Sequence, residues 1–218
     1  MSCMRKLAVN TFMSLDGVMQ APGGPEEDPT GGFTQGGWAV TYFDDEMMGR
    51  MAESGPYELL LGRGTYEIFA AHWPYDEGPI ADQLNSTRKH VASTTLDKVE
   101  WNNSTLIDGD VAEYVAAIKS EDGPEIQVHG SPGLIQTLLR HALIDELRVW
   151  IFPVVIGTGK RLFGDGTIPA ALKLVDSNVS KTGVTINTYR PAGDIDTGSM
   201  DFDEPTAAEL ERRRRHSA

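Results

Sequence analysis

The 218-residue sequence predicts an α/β fold, and three observations carry that reading. Short β-branched and apolar runs alternate with helical patterns, as strands do when they hand over to helices packed on a sheet. The longest apolar run, Val149 to Ile156, spans eight residues and reads as a strand buried on both faces. Hydrophobic residues make up 40% of the chain, enough to pack one domain and too many for wholesale disorder.

Lys6 to Met13 reads as the first strand, closed by the turn Ser14-Leu15-Asp16-Gly17. Residues Ala21 to Gly37 hold six glycines and three prolines and form a long irregular loop. Loops of that length in a compact domain are functional or mobile. A helix is expected over Tyr42 to Glu53, with Asp44, Asp45 and Glu46 in its first turn, where the helix dipole favours acids. Tyr57 to Leu61 is a second strand, ending at Gly62-Arg63-Gly64-Thr65, and Tyr66 to Ala71 a short helix. Lys89 to Ser93 and Ser104 to Ile107 supply two more strands. Asp110 then opens a helix through Lys119 that places Val111, Tyr114, Val115 and Ile118 on one face. Glu125 to His129 is a fifth strand, leading through Gly130-Ser131-Pro132-Gly133 into a helix over Leu134 to Ala142. Glu146 to Phe152 and Lys181 to Tyr189 complete the set as a hairpin at one edge. The domain is read as residues 1–191. Residues 192–218, with seven acids, four bases and few apolar side chains, read as a flexible tail with one short helix at Pro205 to Arg213.

Acids outnumber bases 32 to 19, a formal net charge of −13, and the only basic run is Arg212 to Arg215. A nucleic-acid binder presents a basic face, so nucleic acid is not an expected partner. The single cysteine, Cys3, excludes an internal disulfide and a Cys-rich zinc site and points to a reducing, cytoplasmic setting. The apolar stretch after Arg5 and Lys6 is interrupted by Asn10, Thr11, Ser14 and Asp16, and eight apolar residues fall far short of a bilayer. Neither a targeting segment nor a membrane partner is expected.

The most informative pattern is that three strands end in small or hydroxylated residues. These ends are Gly62-Arg63-Gly64-Thr65, Ser93-Thr94-Thr95 and His129-Gly130-Ser131-Pro132-Gly133. In open α/β sheets ligands sit at the carboxyl ends of strands. Small residues let backbone approach a phosphate, and a helix N-terminus adds free amides and a positive dipole. Arg63, Arg88 and Lys89 supply positive charge nearby, so a dinucleotide phosphate is the natural ligand. Taken singly, each of these ends is also an ordinary turn; it is their coincidence that points to a ligand.

Standard signatures fail. Glu67 stands where G-x-G-x-x-G needs its third glycine, and Val154 and Arg161 break a P-loop around Gly159-Lys160. No H-E-x-x-H or zinc-deaminase pattern occurs, and His72 and His90 lack paired ligand spacing, so no metal is expected. His129-Gly130-Ser131-Pro132-Gly133 approaches the hydrolase G-x-S-x-G elbow, with His129 in place of the first glycine. The later histidines, His141 and His216, fall in the helix that Ser131 opens and in the tail, where neither suits a triad. Asp16, Asp44, Asp45 and Glu46 flank the Gly/Pro loop; a carboxylate in an apolar pocket can bind a ring N–H or donate a proton. The competing reading makes Asp16 a turn residue and the other three a solvated helix start. Trp38, Trp73 and Trp150 either line an aromatic pocket or fill the core.

Three segments resemble a known family: Arg5 to Val18 (RKLAVNTFMSLDGV), Leu60 to Phe69 (LLGRGTYEIF) with Trp73-Pro74, and Val128 to Phe163 (VHGSPGLIQTLLRHALIDELRVWIFPVVIGTGKRLF). Together they resemble the dihydrofolate reductase-like superfamily, and most of all the branch containing the C-terminal reductase domain of the bifunctional riboflavin-biosynthesis deaminase/reductase. The likeness runs over about residues 5–191. It implies a mixed, mostly parallel sheet flanked by helices, with NADPH across the strand ends. By position, Gly62, Arg63 and Thr65 match a phosphate-facing turn. Ser93 and Thr94 match the adenosine 2′-phosphate region, and Gly130, Ser131, Gly133 and Leu134 the pyrophosphate turn. Thr11 and Met19 would flank the nicotinamide. The family's glycine pair at the pyrophosphate turn is Gly130-Ser131 here, and the deaminase half has no counterpart in these residues.

The resemblance thus implies an NADPH-dependent reductase passing hydride to a small heterocycle, pterin- or folate-like or ribosylaminopyrimidine-like. Asp16, Trp38 and Asp45 would border the substrate, with Asp45 and Asp16 as the candidate catalytic acids. A non-catalytic NADPH-binding module is the alternative, and a Ser131 hydrolase a distant third. The resemblance also implies a homodimer joined through the late strands.

Overall fold

A computed structural model describes residues 4–52, 55–165, 167–200 and 204–216. Cys3 and the expected helix end at Glu53 lie outside them. The strands are β1 (Leu7–Ser14), β2 (Tyr57–Gly62), β3 (Lys89–Ala92), β4 (Ser104–Leu106), β5 (Glu125–His129), β6 (Glu146–Phe152), β7 (Leu172–Val179) and β8 (Thr185–Pro191). The helices are α1 (Asp45–Ala52), α2 (Arg63–His72), α3 (Pro79–Ser86), α4 (Val111–Ser120), α5 (Pro132–Arg140) and α6 (Ala207–His216). All eight strands form one sheet in the order β4-β3-β2-β5-β1-β6-β8-β7. The pairings from β4 through β6 are parallel, and those of β6 with β8 and β8 with β7 antiparallel. The mixed, mostly parallel sheet is therefore as expected.

Alternation along the central strands sorts residues between two faces. Leu7, Val9, Ile126, Val128, Leu147 and Val149 share one face and pack against Val115 and Ile118 of α4 and Ile135 and Leu138 of α5 in one continuous core. The opposite face carries two separate apolar clusters. Leu59, Leu61 and Val91 pack with Tyr66 and Trp101 at one end. Trp150, Phe152 and Ile186 pack with Met47 of α1 at the other, with Phe12 and Phe43 against them. The registers Asn10↔His129 and Asn10↔Arg148 set a polar row between those clusters. That gap becomes the floor of the site.

Several boundaries differ from the sequence reading. The last strand begins at Thr185, because Ser180 to Gly183 form the turn of a β7–β8 hairpin: Gly183 has φ +87° and its amide donates to Ser180 O at 3.1 Å. Thus β6 pairs with β8, but β7 lies between them in sequence. The sequence reading missed β7 because its edge position leaves nearly every side chain exposed, without a buried alternation. Helix α3 was also missed; it opens on Pro79 and buries only Ala81 and Leu84. Helix α1 starts at Asp45, after a 3-10 turn at Val40–Tyr42. Among the described residues no helix is long and apolar enough to cross a membrane.

Candidate active site

A cavity of about 1600 Å³ opens at the carboxyl ends of the central strands and continues over the polar row between α1 and α2. Its deep end is made by two strand-to-helix junctions that interlock. Gly62 N donates to Ser131 Oγ at 2.9 Å, and Ser131 N donates to Thr65 Oγ1 at 3.0 Å. Gly130 has φ +54°, and a Cβ there would meet Thr65 Oγ1 at 3.0 Å, so this turn needs glycine on both counts. Ser131 takes a left-handed conformation, φ 62° and ψ 58°, and opens α5 without capping it. The serine standing in for the family's second glycine therefore keeps the turn and adds a cross-link to α2.

Helices α2 and α5 both present their N-termini to the cavity, and neither receives a side-chain cap. The amide N–H groups of a helix's first turn have no intrahelical acceptor and stay unsatisfied unless something outside supplies one. Gly64 and Gly133 line the cavity, and a Cβ at either would meet nothing within 4 Å. These are conditions an anion requires: free amides, two helix dipoles and room for close approach. Arg63 adds a guanidinium, held by Thr95 Oγ1 at 2.7 Å and by Glu67 at 3.1 Å. Ser93 Oγ accepts the amides of Thr95 and Leu96, which shapes the neighbouring turn after β3.

The structure brings every residue matched to cofactor binding to this one cavity. Gly62, Arg63 and Thr65 come from the β2–α2 junction, Ser93 and Thr94 from the end of β3, and Gly130, Ser131, Gly133 and Leu134 from the β5–α5 junction. Thr11 and Met19 line it from β1 and the turn that follows.

The substrate-side assignments fare differently. Asp16 does not line the cavity. Its carboxylate accepts the Ile156 amide at 3.0 Å, the Ser14 hydroxyl at 2.7 Å and the Gly157 amide at 2.7 Å, and those bonds lower its pKa to about 2. Arg161 stands 3.5 Å from it. Asp16 thus fastens the β1 turn to the segment carrying Lys160 and Arg161, both of which line the cavity. Trp38 is likewise turned inward, its Nε1 donating to Gln20 O at 2.7 Å and its ring edge-on to Phe152. It anchors the Gly/Pro loop to the core. Asp45 is exposed on α1, Glu46 pairs with Arg50, and Asp44 caps the helix by accepting Met47 N at 2.9 Å. None of these three acids lines the cavity; Met48, Arg50 and Met51 of α1, with Phe43 just before it, line it instead.

What the sequence reading missed is most of the floor: Asn10, Gln127 and Arg148, which join His129 at the end of β5. Arg148 grips Glu125 through two 2.7 Å bonds and also pairs with Glu146 at 2.7 Å. Burial, reinforced by the Arg148 charge, pushes His129 down to a pKa of about 4 and leaves it neutral at pH 7. The signal was present as polar residues in otherwise apolar strands, but joining them required the register. Ser131 is no hydrolase nucleophile in this setting. Its hydroxyl is buried among Thr65, Gly62 and the His129 carbonyl, and no histidine ring among the described residues bonds it.

Residues 5–186 match the RibD C-terminal domain family model. The chain belongs to that family. The Bacillus subtilis protein YyaP, itself uncharacterized, is 27% identical over 194 residues, covering 85% of this chain and 94% of YyaP. Among solved structures, a putative riboflavin biosynthesis protein from Shewanella superposes with a TM-score of 0.62 at 21% identity, over 86% of this chain and 99% of that one. Dihydrofolate reductase from Enterococcus faecalis, solved with NADP(H), gives a TM-score of 0.53 at 15% identity over 85% and 96% of the two chains. The RibD C-terminal domain match and these neighbours agree on a reductase-type, dihydrofolate reductase-like fold.

Proposed function

We propose that this RibD C-terminal domain protein is an NADPH-dependent reductase acting on a small heterocycle. The observation that carries the proposal is the pair of uncapped helix N-termini, α2 and α5, cross-linked through Ser131 and Thr65 at the end of one cavity. NADPH fits those residues: the amides at the start of α5 and the open space before Gly64 and Gly133 suit a pyrophosphate. Arg63, with Ser93 and Thr94, suits the 2′-phosphate. Thr11 and Met19 lie where the nicotinamide end would reach the floor. When bound, the cofactor supplies the hydride.

The chain's own contribution is positioning and exclusion of water. Phe12, Phe43, Met48, Met51 and Trp150 make apolar walls, and Asn10, Gln127 and His129 offer hydrogen bonds below them. Such a box holds a flat, polar-edged ring against the cofactor and lowers the local dielectric around it. Asp16 acts at a distance, by holding the segment that carries Lys160 and Arg161 against the rim. The free edge of β7 supports the homodimer implied by the resemblance.

The test is consumption of NADPH, followed by loss of its reduced-nicotinamide absorbance, against a panel of dihydropterins, dihydrofolate and ribosylaminopyrimidines. Turnover with one class is the expected result. Tight NADPH binding without turnover on any of them would instead support a non-catalytic binding module.

A further inference from the structure

His129 ends β5 on the cavity floor with Tyr57 of β2 stacked against its ring, centroids 6.0 Å apart and planes 28° from parallel. Its Nε2 lies 3.0 Å from Gln127 Oε1. The direction of that bond is fixed further along the row. Glu125 accepts two 2.7 Å bonds from the Arg148 guanidinium, so its carboxylate serves as an acceptor throughout. Gln127 must therefore turn its amide nitrogen to Glu125, where Nε2 donates to Oε1 at 2.9 Å. That leaves Gln127 Oε1 facing His129, which has to supply the proton from Nε2. The neutral ring has only one N–H, so Nδ1 carries a bare lone pair. Among the described residues nothing donates to it.

We propose that His129 Nδ1 is a built hydrogen-bond acceptor that sets the specificity of the cavity for an uncharged ring bearing an N–H, held in its tautomer by the Gln127–Glu125–Arg148 row. The proposal rests on the reductase reading only in calling that ligand a substrate. The surroundings select against a cationic ring. Arg148 of β6 is the charged neighbour, Asn10 of β1 and Tyr57 of β2 are neutral, and Glu125 is already committed to Arg148. The carboxylates that do line the cavity stand elsewhere. Asp176 is on β7, four strands from β5 in the sheet order, and Glu26, Glu27 and Asp28 belong to the Gly/Pro loop. A ring that covers Nδ1 without offering it a donor strips the lone pair of water at a cost, which converts one lone pair into discrimination between ligands.

The experiment is nitrogen-15 NMR of the histidine rings in the labelled full chain, with His129→Gln to assign the signal. At pH 7 the expected state is Nε2 protonated and Nδ1 bare. Millimolar uracil, as a simple uncharged N–H donor, should shift the Nδ1 signal toward that of a hydrogen-bonded nitrogen. Its 1,3-dimethyl derivative, which lacks the N–H, should not. Gln127→Leu should release the tautomer and weaken uracil by about tenfold, the worth of one lost hydrogen bond. A proton on Nδ1 in the wild-type protein, or an equal response to both compounds or to neither, would overturn the assignment. NADPH is titrated into the same samples. Intact NADPH binding with no uracil response removes this assignment alone, whereas loss of NADPH binding removes the reductase reading.

Discussion

Helices α4 and α5 both follow strands and both pack on the same face of the sheet, yet their N-termini are finished in opposite ways. Asp110 closes α4, accepting the amides of Ala112 and Glu113 at 2.9 Å each. Helix α5 begins with Ser131 in a left-handed conformation, its hydroxyl drawn away to Thr65, and no side chain caps it. The first-turn amides of α5 are therefore left to water or to a ligand. The difference teaches that α5, unlike α4, keeps its first-turn amides open where the cavity reaches it. On their faces α4 and α5 share one core.

The largest expected effect comes from making α5 resemble α4. Gly133→Asp places a carboxylate in the first turn, where a Cβ meets nothing within 4 Å. The helix dipole tolerates that charge and the fold should hold or gain stability, while a bound pyrophosphate would be repelled. NADPH affinity should fall by more than about 100-fold, measured by titration beside a thermal melt. Arg63→Ala comes next. Losing a charge-assisted bond to the 2′-phosphate should weaken NADPH by roughly ten- to a hundredfold and leave NADH almost unchanged. Equal losses would assign Arg63 to some other part of the ligand.

Removing the cap of α4 is the reciprocal experiment. Asp110→Ala should lower unfolding free energy by about 1 kcal/mol in urea titrations, with NADPH affinity unaltered. The last test leaves both helix ends untouched and concerns Lys89 on β3, whose buried ammonium donates to the carbonyls of Thr87 at 2.7 Å and Asn102 at 2.9 Å and sits 4.1 Å from the Trp101 ring centre. Burial lowers its pKa to about 8 from the ordinary 10.5. Between those values the unfolded chain binds more protons than the folded one, so stability should rise with pH through that window. A comparison of melts at pH 8 and pH 10 should show the gain in wild type and not in Lys89→Met. Cofactor affinity should follow neither.

Much of the proposed cofactor side was legible in the sequence because its requirements are local. A strand that ends in Gly62-Arg63-Gly64-Thr65 or Gly130-Ser131-Pro132-Gly133 announces a tight turn into a helix whatever the rest of the chain does. The floor was not legible. Asn10, the Gln127–His129 pair and Arg148 lie on three different strands, and only the registers across β5, β1 and β6 make them neighbours. Asp16 misled for a related reason. A carboxylate in a turn cannot declare from sequence that backbone amides 140 and 141 residues away will occupy it. Asp44 to Glu46 were correctly placed at a helix start, but the facing of α1 depends on which side Met47 buries. The β7 strand escaped notice because an edge strand with both faces open has no burial rhythm to read.

The most direct measurement is a fluorescence titration of the full chain with NADPH, using NADH as the control. Saturable binding with a preference for NADPH of at least about tenfold is the predicted result, since in the proposed function α2, α5 and Arg63 would hold a pyrophosphate and one further phosphate. Binding of neither nucleotide would contradict the account and leave the two open helix ends without a ligand.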